Sequence, residues 1–321
     1  MKLHPLFIAT LAFYLGFTNA SWAAGRAYIT NQGSNNVSVI DIASNKVIAT
    51  IEVGKAPVGV AVSAKLGKVF VSNVDGQSIS VIDSKTNQVI DTLAIKGSPV
   101  GLALAPDSSV LYVADWFADQ VLAINTSNLQ EQEAVAIGQA PAGLLVSKDG
   151  KRLYVANRDS NDIGVIDTVD LSVIARIAVS KHPYSMALSP SGATLYAVNV
   201  QSNNVSVIDT VSNRVSKTIK VGEHPYSAAV SADGAHVYVT NTQSDDVSVI
   251  DTAQQKVITT IAVGAYPEGI GFDNTTQQIY VTSWADNLVS VIDALSNKVM
   301  ASIATGLQSR AFGQFILEAT N

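Results

Sequence analysis

A constant spacing of 42 residues runs through this chain and constrains its fold more than any other feature. An aromatic residue recurs at that spacing seven times, as Tyr28, Phe70, Tyr112, Tyr154, Tyr196, Tyr238 and Tyr280. An Asp or Asn recurs in the same register, as Asp41, Asp83, Asn125, Asp167, Asp209, Asp251 and Asp293. A period of this length, filled with short Val/Ile-rich runs and turn residues, is typical of repeat proteins whose units bury their apolar faces against one another.

One period, residues 225–264, shows what each unit folds into. Its β-branched runs at residues 227–231, 236–241, 247–250 and 256–263 are separated by turn formers such as Asp233-Gly234, which predicts a four-stranded meander. Both faces of the second run are largely apolar, as expected for a sheet that is covered on both sides. Blades packed around a central axis give such burial. The sequence therefore predicts an all-β fold, a seven-bladed β-propeller of four-stranded antiparallel blades.

The two ends of the chain predict how the ring closes. Residues 27–30 match the second strand of a blade, so the first repeat lacks its innermost strand. Residues 312–318 read as one further strand after the seventh repeat. We expect this C-terminal strand to join the N-terminal three strands, because that pairing leaves no open sheet edge at the seam.

The first 23 residues read as a secretory signal peptide. Lys2 provides the positive start, residues 6–17 are apolar, and Ser21-Trp22-Ala23 offers a cleavage site. The apolar stretch has 12 residues, whereas a membrane-spanning helix needs about 20. We therefore predict cleavage near Ala23 and a periplasmic or secreted protein in which residues 24–321 form one propeller domain. An uncleaved membrane anchor is the alternative.

Composition narrows the classes of function. The chain has no cysteine, which rules out disulfides, thiolate metal sites and haem attachment through Cys-x-x-Cys-His. Its formal net charge is -6 and it has no block of Lys and Arg, so nucleic acid is disfavoured as a partner. We expect a monomer whose mature chain has no membrane span.

The repeated strand motif resembles that of a known family. Val237-Tyr238-Val239-Thr240-Asn241 has variants at residues 28–31 and 154–157, and it recurs in register with Val-Ser-Val-Ile-Asp segments such as residues 205–209. These motifs resemble the YVTN-repeat β-propellers, which include exported bacterial proteins and archaeal surface proteins. The resemblance covers the whole predicted mature chain and implies the propeller fold. It leaves function open, because this family and its neighbours include binding modules, redox-complex subunits, lactonases and lyases.

Sequence variation predicts which face of the propeller is functional. Loops between blades emerge on the same face as loops between the second and third strands, and there the repeats differ most. At the positions before and after the proline that recurs in the blade-to-blade loops, one half of the ring has small or apolar residues. The other half has polar or aromatic residues. The polar half forms a candidate crescent at the rim of the channel, made of His182, Tyr184, His224, Tyr226, Tyr266, Glu268, Gln308 and Arg310. The neighbouring loops add Trp116, Arg158 and Trp284, and we expect the two tryptophans to be exposed as a partner surface or ligand lip.

Three functional hypotheses follow. The chain contains no nucleophile elbow, HExxH motif, Gly-rich phosphate loop or EF-hand loop, so the leading one is a non-enzymatic platform that binds a protein or a small ligand. A second is a metal-binding or redox-complex accessory protein, in which His182 and His224 hold a divalent metal, the one cofactor that the residues indicate. A third is a lactonase or lyase, in which His224 and Glu268 serve as base and orienting carboxylate.

Overall fold

The structure is a computed structural model that describes residues 25–318, so the predicted signal peptide lies outside the described residues. Within residues 25–318, 29 strands form seven sheets and no helix occurs. In chain order the strands are β1 (Arg26–Asn31), β2 (Asn36–Asp41), β3 (Lys46–Glu52), β4 (Pro57–Ser63), β5 (Lys68–Asn73), β6 (Ser78–Asp83), β7 (Gln88–Ala94), β8 (Pro99–Leu104), β9 (Val110–Asp115), β10 (Gln120–Asn125), β11 (Glu131–Ala136), β12 (Pro141–Val146), β13 (Arg152–Asn157), β14 (Asp162–Asp167), β15 (Val173–Ala178), β16 (Pro183–Leu188), β17 (Thr194–Asn199), β18 (Asn204–Asp209), β19 (Arg214–Lys220), β20 (Pro225–Val230), β21 (His236–Asn241), β22 (Asp246–Asp251), β23 (Lys256–Ala262), β24 (Pro267–Asp273), β25 (Gln278–Ser283), β26 (Leu288–Asp293), β27 (Lys298–Ala304), β28 (Phe312–Gln314) and β29 (Ile316–Leu317).

The sheets are the seven blades of a propeller, as the repeat predicts. Blade 1 consists of β29, β1, β2 and β3, and blade 2 of β4 to β7 with β28 added beside β4. Blades 3 to 7 each take four consecutive strands, beginning with β8, β12, β16, β20 and β24. The first strand of each blade lies nearest the axis and contacts the first strand of the next blade. Among the described residues, no helix is long and apolar enough to span a membrane.

The recurring aromatic residue packs one blade against the next. It lies in the second strand of each blade and is buried, as at Tyr28 and Tyr280. Tyr238 of blade 6 stacks on Phe272 of blade 7, with ring centroids 6.3 Å apart. The outermost strands face solvent instead, and β19 is exposed at every residue except Ile219. The apolar faces are thus buried between blades, which is why no single 42-residue unit is a complete core.

The turns on one face follow the predicted chemistry. Gly234 closes the first hairpin of blade 6 with φ of 75°, a left-handed conformation that glycine adopts without a Cβ clash. At the second tight turn of blade 5, between β18 and β19, Asp209 accepts hydrogen bonds from the backbone N–H and the hydroxyl of Ser212, both at 2.7 Å. These bonds hold the pKa of Asp209 below its ordinary value. The recurring Asp is therefore a turn residue. We call this face the tight-turn face.

The C-terminal segment closes the ring as predicted. Strand β29 pairs antiparallel with β1, with Leu317 opposite Arg26 and Ile316 opposite Ala27. The pairing extends towards the opposite face, where the backbone N–H of Arg310 donates to the carbonyl of Thr30 at 2.8 Å. Blade 1 thus takes its innermost strand from the end of the chain.

The closing segment is nevertheless not the single strand that the sequence predicts. It divides into β28 and β29, and β28 pairs parallel with β4 of blade 2, so that Phe312 lies opposite Gly59. Gly313 allows this approach, since its φ is 109° and a Cβ there would lie 2.6 Å from the carbonyl oxygen of Val60. The Phe312 ring packs among side chains of the central channel. The same segment therefore completes blade 1, pairs with the innermost strand of blade 2 and places a ring in the channel.

Candidate ligand site at the loop face

The face opposite the tight turns, called the loop face, holds its blade-to-blade loops in one backbone conformation. In six of the seven loops the residue at the position before the proline has a left-handed φ between 49° and 58°; these residues are Ala56, Ala140, His182, His224, Tyr266 and Gln308. In each, the backbone N–H donates at 2.7–2.9 Å to a side chain 21 residues earlier; the acceptors are Asn35, Asp119, Asn161, Asn203, Asp245 and Asn287. This hydrogen bond, called the tether, fixes where the following side chains point.

The loop between blades 2 and 3 departs from this pattern. The tether position is occupied by Gln77, and the backbone N–H of Ser98 donates instead to Asp115 Oδ1 at 3.0 Å. Asp115 is fully buried and stands where the neighbouring blades have Asn73 and Asn157. The loop here has Lys96 followed by Gly97, whereas in five other loops the glycine comes first and a variable residue follows it. The loop that lacks the usual tether therefore has a buried carboxylate, that of Asp115, as its hydrogen-bond acceptor instead.

Seven side chains converge on the axis just after the proline position: Val58, Val100, Ala142, Tyr184, Tyr226, Glu268 and Arg310. Tyr184 and Tyr226 pack with ring centroids 4.5 Å apart, and the centroid of Phe312 lies 5.1 Å from that of Tyr184. These three rings block the channel. A cavity of about 420 Å³ lies on the tight-turn side of Phe312 and is lined mostly by the innermost strands.

Glu268 and Arg310 form an ion pair beside these rings. Arg310 Nη2 donates to Glu268 Oε1 at 3.2 Å, and Arg310 Nε lies 2.9 Å from Glu268 Oε2. Glu268 is only 7% exposed, and burial raises its pKa to about 7 although the guanidinium opposes that shift. Burial, and then the charge of Glu268, raise the pKa of Tyr226 well above its ordinary value. The site thus holds one carboxyl group that titrates near neutral pH and a phenol that stays protonated.

A funnel of about 720 Å³ opens above this floor on the loop face. Its lining combines apolar, polar and charged side chains: Gln32, Val58, Val74, Asp75, Gln77, Ser98, Val100, Asp115, Trp116, Phe117, Ala118, Tyr184 and Arg310, with Gly97. The funnel lies mainly over blades 2 and 3, whose entry loops have small or apolar residues around the proline, and Gln32 adds a side chain from blade 1. Of the predicted crescent, Tyr184 and Arg310 reach it.

The structure groups the sequence-predicted residues in two places. Tyr184, Tyr226, Glu268 and Arg310 meet at the axis, and Trp116 joins them because its ring centroid lies 5.9 Å from that of Tyr184. Trp116 is also covered by the guanidinium of Arg158, 5.6 Å from the ring centroid, and Arg158 in turn pairs with Asp159 at 2.6 Å. Elsewhere on the rim, Tyr266 packs against Trp284 with ring centroids 6.3 Å apart.

The tryptophans are half-buried, so the expectation that they are exposed is wrong. Each is covered by a neighbouring tyrosine, as the contacts of Trp116 and Trp284 show. The most exposed ring on this face, among residues 25–318, is Phe117, which is 82% accessible at the lip of the funnel. Phe117 follows Trp116 in the turn after β9, where Trp116 is half-buried and Phe117 faces solvent.

The two predicted metal ligands lie on separate loops. His182 Nε2 is 4.0 Å from Asp159 Oδ1, and burial, followed by the charge of Arg158, lowers the pKa of His182. The backbone N–H of His224 is held by Asn203. Over residues 25–318, no three His, Cys, Asp or Glu side chains gather closely enough to hold a metal ion. The metal hypothesis therefore stays a prediction from the sequence.

Sequence reasoning missed the wall of the funnel formed by blades 2 and 3. Val58, Val100 and Ser98 carry no chemical signature, and they gain their role from converging on one cavity. A signal was present in the shifted Lys96-Gly97 and in the replacement of the usual Asn by Asp115. Both depart from the repeat at the point where the funnel forms.

Fold and site together define a seven-bladed β-propeller with a ligand-sized funnel on its loop face, and comparison with known proteins agrees with the fold. The model of the family "Lactonase, 7-bladed beta-propeller" matches residues 68–168 and 102–220, and that of the "YNCE-like beta-propeller" family matches residues 194–319. Each matches less than half of the chain. The chain is also 59% identical to the PE-PGRS family protein PE_PGRS18 of Mycobacterium tuberculosis over 39 residues, which are 12% of this chain and 8% of that protein.

Solved structures show the same architecture. Hydrazine synthase of Kuenenia stuttgartiensis is similar with a TM-score of 0.72 and 25% identity, over 78% of this chain and 87% of that one. A functionally unknown protein from Desulfotomaculum acetoxidans is similar with a TM-score of 0.82 and 14% identity, over 92% of this chain and 100% of that one. The dihydro-heme d1 dehydrogenase NirN, solved in complex with DHE, is similar with a TM-score of 0.67 and 14% identity, over 92% of this chain and 75% of that one.

Proposed function

We propose that this propeller is a binding protein that seats a small, largely apolar ligand in the funnel of the loop face. The observation that carries the proposal is the funnel itself, because a concavity of about 720 Å³ is the size of a small-molecule site. Among residues 25–318, the cavity on the tight-turn side is smaller, about 420 Å³, and is lined mostly by the innermost strands. A ligand is therefore expected in the funnel of the loop face.

The lining supports a ligand with an apolar body and a few polar groups. Val58, Val100 and Trp116 offer apolar contact, and Ser98 and Arg310 offer polar contact. Trp116 is held between Tyr184 and the guanidinium of Arg158, so its ring is already positioned in the free protein. A preformed site of this kind binds without the cost of ordering its side chains.

A protein partner is the other form of this hypothesis. Phe117 is the exposed aromatic residue at the lip of the funnel, and aromatic residues are enriched in protein interfaces. We favour a small molecule because the funnel is deeper than a flat docking surface needs. The two forms are distinguished by whether a small molecule alone stabilises the protein.

The test is a thermal-shift screen of small aromatic and aliphatic compounds, followed by titration of tryptophan fluorescence. Ala118→Trp places a large ring in the funnel at an exposed wall residue, and Val169→Trp adds the same ring on the tight-turn face, where Val169 is exposed. We expect compounds that raise the melting temperature of the wild type and of Val169→Trp but not of Ala118→Trp. Equal shifts in all three proteins would place binding outside the funnel and overturn the proposal.

Export is proposed from the sequence alone. We propose that residues 1–23 direct the chain to the periplasm and are then removed, as the charged start and apolar stretch indicate. N-terminal sequencing of the protein recovered from the periplasm should begin at Ala24. An intact Met1 in a membrane fraction would support the uncleaved anchor.

Hydrolysis of a lactone is a second candidate function. The lactonase family model matches residues 68–220, and Glu268 is a buried carboxyl group whose pKa of about 7 suits a general base. Glu268 lies outside the matched residues, so the match alone does not assign it a role. Turnover of a panel of lactones that is lost in Glu268→Gln would support this candidate, and turnover that persists in the variant would exclude Glu268 as the base.

A further inference from the structure

Arg310 lies at the floor of the funnel. The Nε–Nη2 edge of its guanidinium contacts Glu268, and the edge that includes Nη1 does not. Glu268 contacts Nε and Nη2, at 2.9 Å and 3.2 Å. Within the described part of the chain, Nη1 makes no hydrogen bond to the protein. The Arg310 side chain is 21% exposed, whereas the carboxylate of Glu268 is behind it and does not line the funnel. A ligand entering the funnel therefore meets the guanidinium first.

We propose that the funnel takes a small apolar monocarboxylate, whose carboxylate group binds the free edge of Arg310 while Glu268 takes up one proton. This inference rests on the proposed function, since it assigns the chemistry of the ligand that the funnel holds. Arginine suits the role because its planar fork of N–H groups can serve two carboxylates on two edges.

Proton uptake follows from placing two carboxylates on one guanidinium. With Glu268 ionised, Arg310 is already neutralised, and a second anion would meet the repulsion of a buried like charge. Protonation of Glu268 removes that repulsion and leaves the positive charge of Arg310 for the ligand. Glu268 is the carboxylate that is neutralised, because its side chain is only 9% exposed and this burial already raises its pKa to about 7. The proton comes from a buffer acid in solution, which is left deprotonated, and it forms an O–H bond on the Glu268 carboxylate.

The other charged and titratable groups around the pair set the charge of the ligand. Tyr184 and Tyr226 face the pair from β16 and β20, and their raised pKa values keep both hydroxyls protonated. Asp75 and Asp115 line the opposite wall of the funnel. A ligand with a second negative charge would face these carboxylates, so a single carboxylate on an apolar body fits best. His182 and the Arg158–Asp159 pair lie further out on the rim and are unchanged in the variants used below.

The experiment compares 2-naphthoate with its neutral isostere 2-naphthamide by isothermal titration calorimetry at pH 6 and pH 8. Each titration is repeated in two buffers with different ionisation enthalpies, which reports the protons taken up. The proteins are the wild type, Glu268→Gln, the blocked variant Ala118→Trp, and Glu223→Gln as a control that removes an exposed carboxylate on the same face. Glu268→Gln keeps the size of the side chain and leaves Arg310 in place.

For the wild type and Glu223→Gln, we expect the dissociation constant of naphthoate to rise about tenfold from pH 6 to pH 8, with about one proton taken up at pH 8, because binding is linked to a group of pKa about 7. In Glu268→Gln, naphthoate should bind with no dependence on pH. Naphthamide should bind the wild type more weakly at pH 6, also without pH dependence. Neither probe should bind Ala118→Trp.

Several results would overturn the inference. Naphthoate that does not bind, that binds no better than naphthamide at pH 6, or that keeps its pH dependence in Glu268→Gln contradicts it. If naphthamide binds the wild type but not Ala118→Trp while naphthoate fails, the funnel remains a ligand site and only its anion chemistry is wrong. If binding of both probes is unaffected by Ala118→Trp, the inference and the proposed function fall together.

Discussion

The two faces of the ring stabilise their loops by the same kind of hydrogen bond, but with different consequences. On the tight-turn face, Asp209 accepts from the turn that follows it, so the recurring side chain is itself the stabilising group. On the loop face, Asn203 accepts from the backbone of His224, and the side chain of His224 plays no part in that bond. Because another residue fixes the backbone there, the side chains before and after the proline can vary from blade to blade. Variation on a constant backbone is what allows one face to carry a site.

The closing segment gives the largest expected effect on this comparison. Truncation after Gly306 removes β28 and β29 together with Phe312, Phe315 and Ile316, which are buried. Burial of each such side chain contributes about 1.5–3 kcal/mol, so the loss is comparable with the whole stability of a typical domain. We expect the truncated chain to lose the cooperative unfolding transition seen by circular dichroism. A truncated chain that melts like the full chain would show that both faces form without the latch, and Leu307→Ser, at an exposed residue, is the matched control.

Carboxyl groups on the two faces should respond to pH in opposite directions. Hydrogen bonds lower the pKa of turn residues such as Asp209, so their stabilising effect is lost as pH falls. Burial raises the pKa of Glu268 from 4.5 to about 7, so its contribution is complete below pH 4.5 and is lost as pH rises through about 7. At about 1.4 kcal/mol per pKa unit, the change is about 3 kcal/mol.

Glu268→Gln tests that prediction because it cannot titrate. From pH 4.5 to pH 8, the free energy of unfolding of the wild type should fall by about 3 kcal/mol relative to that of Glu268→Gln. Chemical denaturation at each pH measures the difference. The exposed control Glu223→Gln should follow the wild type. Parallel curves for wild type and Glu268→Gln would mean that the carboxyl group of Glu268 titrates alike in the folded and unfolded states.

The tether can be separated from backbone strain by comparing two asparagines in blade 5. Asn203 on the loop face and Asn213 on the tight-turn face both have a left-handed φ, at 53° and 54°. Glycine relieves that strain equally at both positions, but only Asn203→Gly removes the acceptor of the His224 N–H. We expect Asn203→Gly to lower the free energy of unfolding by about 1 kcal/mol more than Asn213→Gly. Equal values would contradict the view that the tether fixes the loop.

The smallest expected effect concerns the two histidines. His182 and His224 occupy equivalent positions on separate loops, but over residues 25–318 no three His, Cys, Asp or Glu side chains gather closely enough to hold a metal ion. We expect the divalent-metal content of protein purified without chelators to be the same in the wild type and in His182→Ala/His224→Ala, measured by mass spectrometry. Stoichiometric metal that is lost in the variant would revive the redox hypothesis and make the loop face a metal site.

The fold was almost fully predictable because its cause is local and repeated. The 42-residue spacing, the paired apolar faces and turns such as Asp233-Gly234 each act within one unit or between neighbours, so the sequence reports them directly. The division of the closing segment was not predictable in that way. It depends on Gly313 approaching the backbone of blade 2 and on the Phe312 ring entering the channel, which no repeat position records.

The candidate site was predictable only where chemistry marks a residue. Glu268 and Arg310 stand out because their repeat positions are otherwise apolar or aromatic, and the structure joins them in an ion pair. The funnel itself escaped prediction because its apolar wall, at Val58 and Val100, looks like any other blade interior in the sequence. These side chains form a funnel only because the closed ring brings residues of different blades together.

The closing segment also decides when the site exists. Arg310 and Phe312, which form part of the floor of the funnel and its plug, belong to the segment that locks the ring. An open ring would therefore have no complete binding floor, and a ligand that needs this floor can bind only after closure. Such a ligand favours the closed state by mass action and slows its reopening. Ligand binding in the funnel would then oppose opening of the whole propeller. The molecules most resistant to proteolysis would be those with ligand bound.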